Sequence, residues 1–325
     1  MLRRLLLCAL APAFALAFAS AALADGPAGP PLSQGGNGVL APGGSVRYVA
    51  VGTGQDTTIE AIRTSDGSVL RFTTYPGMWG IPTVTADGTV GGLSADGSTL
   101  VLADATATAG PLRKRSRFEV ISAETFRPRA TVTLSGDFSF DALSPDGGRL
   151  YLIQRVSERD LNRYVVRAYD LRTRSLLAGR IADRTQRGWV MSGWPVRRAT
   201  SAGGRWVYTL YTRPGGTPFV HALDTVHGVA HCVGIPWAGD QYSLSTLRLV
   251  LRDGGRTLVL ERRSGRPYLS IATATWRISR PAPHAGTNLQ WWLLGAGLLG
   301  TVLALGVLAR PVRRLATRPA RAQAT

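Results

Sequence analysis

Three observations predict an all-β chain folded as a β-propeller. A glycine turn recurs five times, a second strand motif recurs in step with it, and no helical period of useful length runs between residues 25 and 279. The expected wheel has five blades of about 50 residues each, with six as the alternative count. A β-sandwich is the competing architecture, because short strands with regular turns also suit it.

Taken in chain order, residues 1–24 carry Arg3 and Arg4, an apolar run from Leu5 to Ala19, and Ala22-Leu23-Ala24 ahead of Asp25. That layout is a cleavable secretory signal. Residues 25–38 are rich in Gly and Pro and read as a flexible segment, after which residues 39–278 form the outer domain.

Within the outer domain the turns are Pro42-Gly43-Gly44, Asp96-Gly97-Ser98, Asp146-Gly147-Gly148, Ala202-Gly203-Gly204 and Asp253-Gly254-Gly255, spaced 50 to 56 residues apart. Each precedes a β-rich run, and Asp-Gly or Gly-Gly supplies the positive backbone angles that tight hairpins need. The companion strands are Ile59 to Arg63, Phe118 to Ala123, Val165 to Leu171, Phe219 to Leu223 and Tyr268 to Thr273. In the fifth unit strands are expected near Leu244 to Leu251, Thr257 to Arg262 and Tyr268 to Ile278, with no fourth. Closure of the ring by a strand near Val39, or an incomplete ring, follows from that shortfall.

Leu143-Ser144-Pro145-Asp146-Gly147-Gly148 and Leu93-Ser94-Ala95-Asp96-Gly97-Ser98 resemble the SPDG-type repeat of bacterial WD40-like, TolB-like and YVTN-type propellers. Tyr169-Asp170-Leu171-Arg172-Thr173 is similar to the strand that follows in those repeats. The resemblance implies the fold and carries no activity.

Beyond a linker at residues 279–290, residues 291–309 contain no charge and match the roughly 20 apolar residues a membrane-crossing helix requires. Trp291 and Trp292 begin the span. The tail, residues 310–325, carries five arginines and no acidic residue, which places it in the cytoplasm and the outer domain on the other side of the cell membrane.

The chain has 38 basic and 20 acidic residues. Setting aside Arg3, Arg4 and the five tail arginines leaves 31 against 20, a net +11, which attracts anionic partners. Outside a membrane these are anionic cell-envelope polymers or another envelope protein, and no nucleic acid is expected. Arg, Ala and Gly excess with Lys114 as the sole lysine also reads as coding bias. The mature region holds one cysteine, Cys232, so no intramolecular disulfide staples it.

Antiparallel pairing puts the glycine turns at one end of the blades and the longer connections at the other. The long-loop end is then expected to carry a ligand-binding face of Arg113, Lys114, Arg115, Arg117, Arg155, Arg159, Arg163, Arg213, Arg262, Arg263 and Arg266, with Trp79, Trp194 and Trp237. Guanidinium groups fork onto anions and aromatic planes stack on sugars or other rings. The ordinary alternative is that the aromatics pack between blades and the arginines are simply solvated.

No HExxH, CxxC, GxSxG or P-loop lysine occurs, and no cofactor is expected. Asp141, near the start of an inner strand, is the one weak catalytic candidate. His221 and His231 are weak metal candidates if a hairpin brings them side by side. The leading function is a binding or scaffold module. A hydrolase acting on a glycan or lactone and a structural subunit of a membrane complex are the alternatives.

Overall fold

A computed structural model describes residues 32–33, 38–106, 110–183, 185 and 190–281. The signal sequence, membrane helix and basic tail expected from the sequence lie outside the described residues, as does the linker beyond residue 281. Among the described residues no helix is long and apolar enough to cross a membrane.

A two-residue strand, β1 (Leu32–Ser33), precedes five antiparallel sheets that follow one another along the chain. Sheet 1 holds β2 (Val39–Leu40), β3 (Val46–Gly52), β4 (Asp56–Arg63) and β5 (Val69–Pro76). Sheet 2 holds β6 (Trp79–Pro82), β7 (Thr99–Asp104), β8 (Arg115–Ser122) and β9 (Pro128–Ser135), with β1 paired on the free side of β6. Sheet 3 consists of β10 (Phe138–Leu143), β11 (Arg149–Arg155), β12 (Arg163–Asp170), β13 (Ser175–Leu176) and β14 (Met191–Ser192), the last two both pairing β12. Sheet 4 is β15 (Trp194–Thr200), β16 (Trp206–Thr212), β17 (Phe219–Asp224) and β18 (Val229–Gly234). Sheet 5 is β19 (Arg248–Arg252), β20 (Thr257–Glu261), β21 (Pro267–Ala272) and β22 (Ile278–Ser279).

All five glycine turns join the first and second strands of their sheets, and all five companion motifs lie on the third. The fifth unit does have a fourth strand, only two residues long. Val39–Leu40 is the inner strand of sheet 1 itself and does not complete sheet 5. Part of the segment read as flexible is ordered by pairing: Ser33 and Leu32 lie opposite Ile81 and Pro82 and cover backbone groups at the inner edge of sheet 2.

Side-chain alternation explains the stacking. On β4, Thr57, Ile59 and Ala61 are buried while their neighbours are not. Ile59 packs with Tyr48 and Tyr75 against Ile81, Leu100, Ile121 and Phe126 of sheet 2. The far side of sheet 2 contributes Val101, Phe118 and Val132 to a cluster with Phe138, Leu150 and Leu152 of sheet 3. Tyr151 and Ala168 meet Val207 and Leu223 between sheets 3 and 4. Tyr208, Leu210 and Val220 meet Leu249, Leu260 and Ile271 between sheets 4 and 5. Each fully buried Leu, Ile or Phe contributes about 2 kcal/mol of transfer free energy. No core cluster joins sheets 5 and 1 among the described residues.

The Ser-x-Asp-Gly turns are hydrogen-bonded units. Ser144 donates to Asp146 (2.5 Å), Asp146 accepts the Gly148 N–H (3.0 Å), and Ser144 Oγ accepts the Arg149 N–H (2.8 Å), which starts β11. Ser94, Asp96, Ser98 and Thr99 repeat the pattern. These turns also interlock. Gly147 has φ +70°, and a Cβ there would fall 2.4 Å from Thr99 Oγ1 in the preceding sheet. At Gly204, φ +72°, it would fall 2.4 Å from the Ala95 Cβ. At Gly97, φ +73°, it would fall 2.9 Å from Pro42 Cδ in the sheet 1 turn, whereas the sheet 5 turn lies free: Gly254 and Gly255 have open space where a Cβ would stand.

The inner strand of sheet 2 is interrupted. After Pro82 the chain leaves the sheet, turns at Asp87 and Gly88, and returns at Gly91, whose N–H donates to Pro82 O (2.7 Å). Asp87 accepts from Thr85 (2.5 Å) and Thr89 (2.7 Å), which fixes the turn. The tip reaches sheet 4, where the Ala86 N–H donates to Pro195 O (2.9 Å) and Asp87 pairs with Arg197 (2.7 Å).

Candidate functional site

Sheets 2, 3 and 4 enclose a cavity of about 390 Å³ at their long-loop end. Its walls are Thr83 to Ala86 and Gly88 from the sheet 2 excursion, Ser139 and Phe140 at the start of β10, and Ile153 and Arg155 at the end of β11. Leu161, Tyr164, Tyr211 and the Gly193-Trp194-Pro195 corner complete it. Apart from the excursion residues and Phe140, within β10, these positions lie at or near strand ends next to long connections. The wall is mostly apolar with few polar groups, the usual composition of a small-molecule site.

Electrostatics set Arg155 apart. Asp137, in the crossing between sheets 2 and 3, is buried and holds Arg113, also buried, through Nη2 (2.7 Å) and Nε (3.2 Å) to one carboxylate oxygen. The Arg113 N–H donates to the other oxygen (3.3 Å), and its guanidinium donates to Phe138 O. Arg155 stands 3.9 Å from the oxygen already engaged, with its side chain 11% exposed. Its guanidinium donates one hydrogen bond among the described residues, to Ser139 Oγ (3.3 Å). Burial lowers the pKa of Arg155 below its ordinary value, and Asp137 opposes that shift in part. Two buried guanidinium groups therefore share one carboxylate.

Aromatic rings form the rest of the lining. Trp194 is 38% exposed at the lip, its ring 6.0 Å from the Arg155 guanidinium carbon. Gly193 precedes it at φ +155°, where a Cβ would fall 2.4 Å from Thr212 O, so only glycine permits this corner. Tyr164 and Tyr211 stack at 5.5 Å, and Tyr211 stacks on Phe219 at 5.1 Å. The two tyrosine hydroxyls are buried and make no hydrogen bond of normal geometry among the described residues. Burial raises both pKa values.

The expected ligand face divides in two. Lys114, Arg115, Arg159, Arg163, Arg213, Arg262, Arg263 and Arg266 are exposed at the long-loop end, as the spacing of turns implies. Arg113 is not a surface group: Asp137, 24 residues on, draws it inside. Trp79 is 3% exposed, fixed between sheets 1 and 2 by an Nε1–H bond to Pro76 O (2.9 Å) and capped by Arg117 at 4.9 Å. Arg117 also lies 3.8 Å from Asp104. Trp237 packs edge-on against Tyr268 at 4.8 Å and donates to Asp240 O. Of the three tryptophans, Trp194 alone lines the cavity.

Asp141 is 2% exposed, at a β-bulge in β10, and its carboxylate pairs with Arg198 of β15, which also donates to Asp141 O. It borders a second cavity of about 460 Å³ at the tight-turn end, where no other carboxylate lines the wall among the described residues. The paired carboxylates of glycoside hydrolysis are not assembled there.

The expected histidine pair does not form. Cross-strand register sets His221 opposite Cys232 and His231 opposite Ala222, so the imidazoles point to opposite faces of sheet 4. His221 contacts Cys232 Sγ (3.5 Å) and its pKa is lowered to about 4 by burial. His231 packs on Trp276 at 4.9 Å. No group of three or more His, Cys, Asp or Glu placed to hold a metal occurs among the described residues.

Sequence reasoning missed Ser139, Phe140, Tyr164 and Tyr211 as cavity residues and Arg198 as the partner of Asp141. Their strands were recognisable, but which strand ends converge depends on the excursion at residues 83–91, which carries no repeat signal.

No family model matches the chain, and no curated protein matches it. Among solved structures it is similar to TolB from Acinetobacter baumannii, at 16% identity and a TM-score of 0.42, covering 78% of this chain and 55% of that one. It is similar to Kuenenia stuttgartiensis hydrazine synthase, at 16% identity and a TM-score of 0.43, covering 75% and 70% of the two chains. The β-propeller domain of Myceliophteria thermophila Cps50 (Swd1) gives 10% identity and a TM-score of 0.42, covering 79% and 70%. The propeller architecture of this chain rests on its own strand order and sheet-to-sheet packing.

Proposed function

We propose that the chain displays a five-bladed β-propeller outside the cytoplasm, anchored by one C-terminal helix, and that it binds an anionic envelope polymer or an acidic partner protein through its long-loop end. The observation that carries this reading is that the long loops themselves present exposed basic side chains: Lys114, Arg115, Arg159, Arg163 and Arg213 on the loops and strand ends of sheets 2 to 4, with Arg262, Arg263 and Arg266 on sheet 5; the tight-turn end exposes arginines as well, on short turns such as those at Arg63, Arg172 and Arg205. The signal sequence, the uncharged stretch at 291–309 and the arginine tail support the topology.

A binding module of this kind works by charge complementarity, so its affinity falls with salt. Replacing Lys114, Arg115, Arg159 and Arg163 by serine is expected to weaken binding of the full chain to a soluble polyuronate or polyphosphate by about tenfold or more at low salt, and to flatten the salt dependence. Unchanged affinity and an unchanged salt slope would refute it.

A further inference from the structure

The cavity at the inner ends of sheets 2, 3 and 4 has a chemistry that the exposed rim does not. Its volume of about 390 Å³ excludes a polymer and suits a small molecule. Val84, Phe140, Ile153, Leu161 and Tyr164 line it with apolar surface. Arg155 is the one basic residue on the wall.

That arginine is undercompensated. Asp137 commits its near oxygen to Arg113 at 2.7 Å and leaves Arg155 at 3.9 Å, so the buried group Arg113, Asp137 and Arg155 carries one net positive charge. A guanidinium has five N–H donors, and Arg155 places one on Ser139 among the described residues. A buried charge without a full partner is costly, and a bound anion of single charge removes that cost. A dianionic phosphate would leave a net negative charge in an apolar cavity with no second cation on its wall. A carboxylate matches both the charge and the planar fork of donors.

We propose that this cavity binds a small organic acid, its carboxylate forked on Arg155 beside Ser139 and its flat apolar body lying under Trp194 against Phe140, Ile153 and Tyr164. Trp194 closes the outer side, since Gly193 sets its ring at the lip, within 6.0 Å of the guanidinium. The excursion at Thr83 to Gly91, tied to sheet 4 through Asp87 and Arg197, walls the inner side. This ligand rests on the reading above only in using the outward long-loop end, and it does not require that a polymer bind the rim.

The test is calorimetric titration of the full chain in detergent with 2-naphthoate, with the neutral isostere 2-naphthylmethanol and with 2-naphthyl phosphate. The acid is expected to bind about tenfold or more tightly than the alcohol, because a charge-assisted bond to a buried guanidinium is lost in the alcohol. Arg155→Met should erase that preference, and Trp194→Ala, at the exposed lip, should weaken the acid and the alcohol alike. The serine quadruple variant of the rim should leave naphthoate affinity within about twofold, which separates this site from polymer binding. The acid and alcohol comparison needs no variant, so it stands even where Arg155→Met fails to fold. Equal affinities for acid and alcohol, tighter binding of the phosphate, or no binding of the acid at millimolar concentration would overturn the proposal.

Discussion

Replacing Asp224 by asparagine should cost more stability at neutral pH than in acid. Asp224 ends β17, is 2% exposed, and accepts from Arg205 Nη2 (2.8 Å) and Nε (3.1 Å) and from the N–H groups of Val226 (3.0 Å) and His227 (3.1 Å). His227 Nδ1 lies 2.9 Å away. Burial alone would raise its pKa, but the bonds from Arg205, His227 and the backbone prevail and lower it from 3.8 to about 2. A folded-state pKa below the unfolded one stabilises the native state above the unfolded value, and that contribution disappears as pH falls through the folded value. At about 1.4 kcal/mol per pH unit of separation, the ionised group contributes about 2 kcal/mol at pH 7 and under about 1 kcal/mol at pH 2.5. Urea unfolding of the wild type and Asp224→Asn, followed by circular dichroism at both pH values, reads the difference directly. A gap as wide at pH 2.5 as at pH 7 would refute the assignment of the effect to the ionised carboxylate.

Asp137→Asn should be more damaging, since it leaves Arg113 and Arg155 buried without a counter-charge, at a cost of about 3 to 5 kcal/mol. Scanning calorimetry should show the transition fall by about 6 °C or more, and an unmoved transition would contradict the pairing. Gly147→Ala, with its clash against Thr99, should destabilise by about 2 kcal/mol or more, whereas Gly255→Ala, at φ +90° in open space, should cost about 1 kcal/mol. Equal losses in denaturant titrations would show that the turns do not interlock. Cys232, its pKa raised to about 12 by burial, should alkylate with iodoacetamide at pH 8 at least about a hundredfold more slowly in the native than in the urea-unfolded chain; comparable rates would show an accessible thiolate.

The turns and third strands were legible because Asp-Gly and Gly-Gly report backbone geometry directly, and Ser144 and Asp146 do in space what their order along the chain implies. The site was less legible because its partners come from different sheets. Nothing local to Arg113 announces Asp137, and the same composition that reads as a solvated cluster at Lys114 and Arg115 turns inward one residue earlier. Trp79 and Trp194 open equivalent inner strands, yet one is sealed by the neighbouring sheet and the other stands at a cavity lip. The histidines failed on register: a shift of one residue in the β17–β18 pairing exchanges the faces of every side chain.

The free turn of sheet 5, and the lack of a core cluster between sheets 5 and 1 among the described residues, have an energetic consequence. Core clusters join each sheet to its sequence neighbours, and sheets 2 and 4 are also tied directly through Asp87 with Arg197 and through the Ala95 and Gly204 turns, so sheets 2, 3 and 4 form a cross-linked middle to which sheets 1 and 5 are each joined by one core junction. Such an arrangement frays from its ends. Amide exchange should be slowest in β11 and β12 at its middle and fastest in β5 and β22. Sheet 5 can detach by breaking a single junction, while the cavity between sheets 2, 3 and 4, each flanked on both sides, stays assembled.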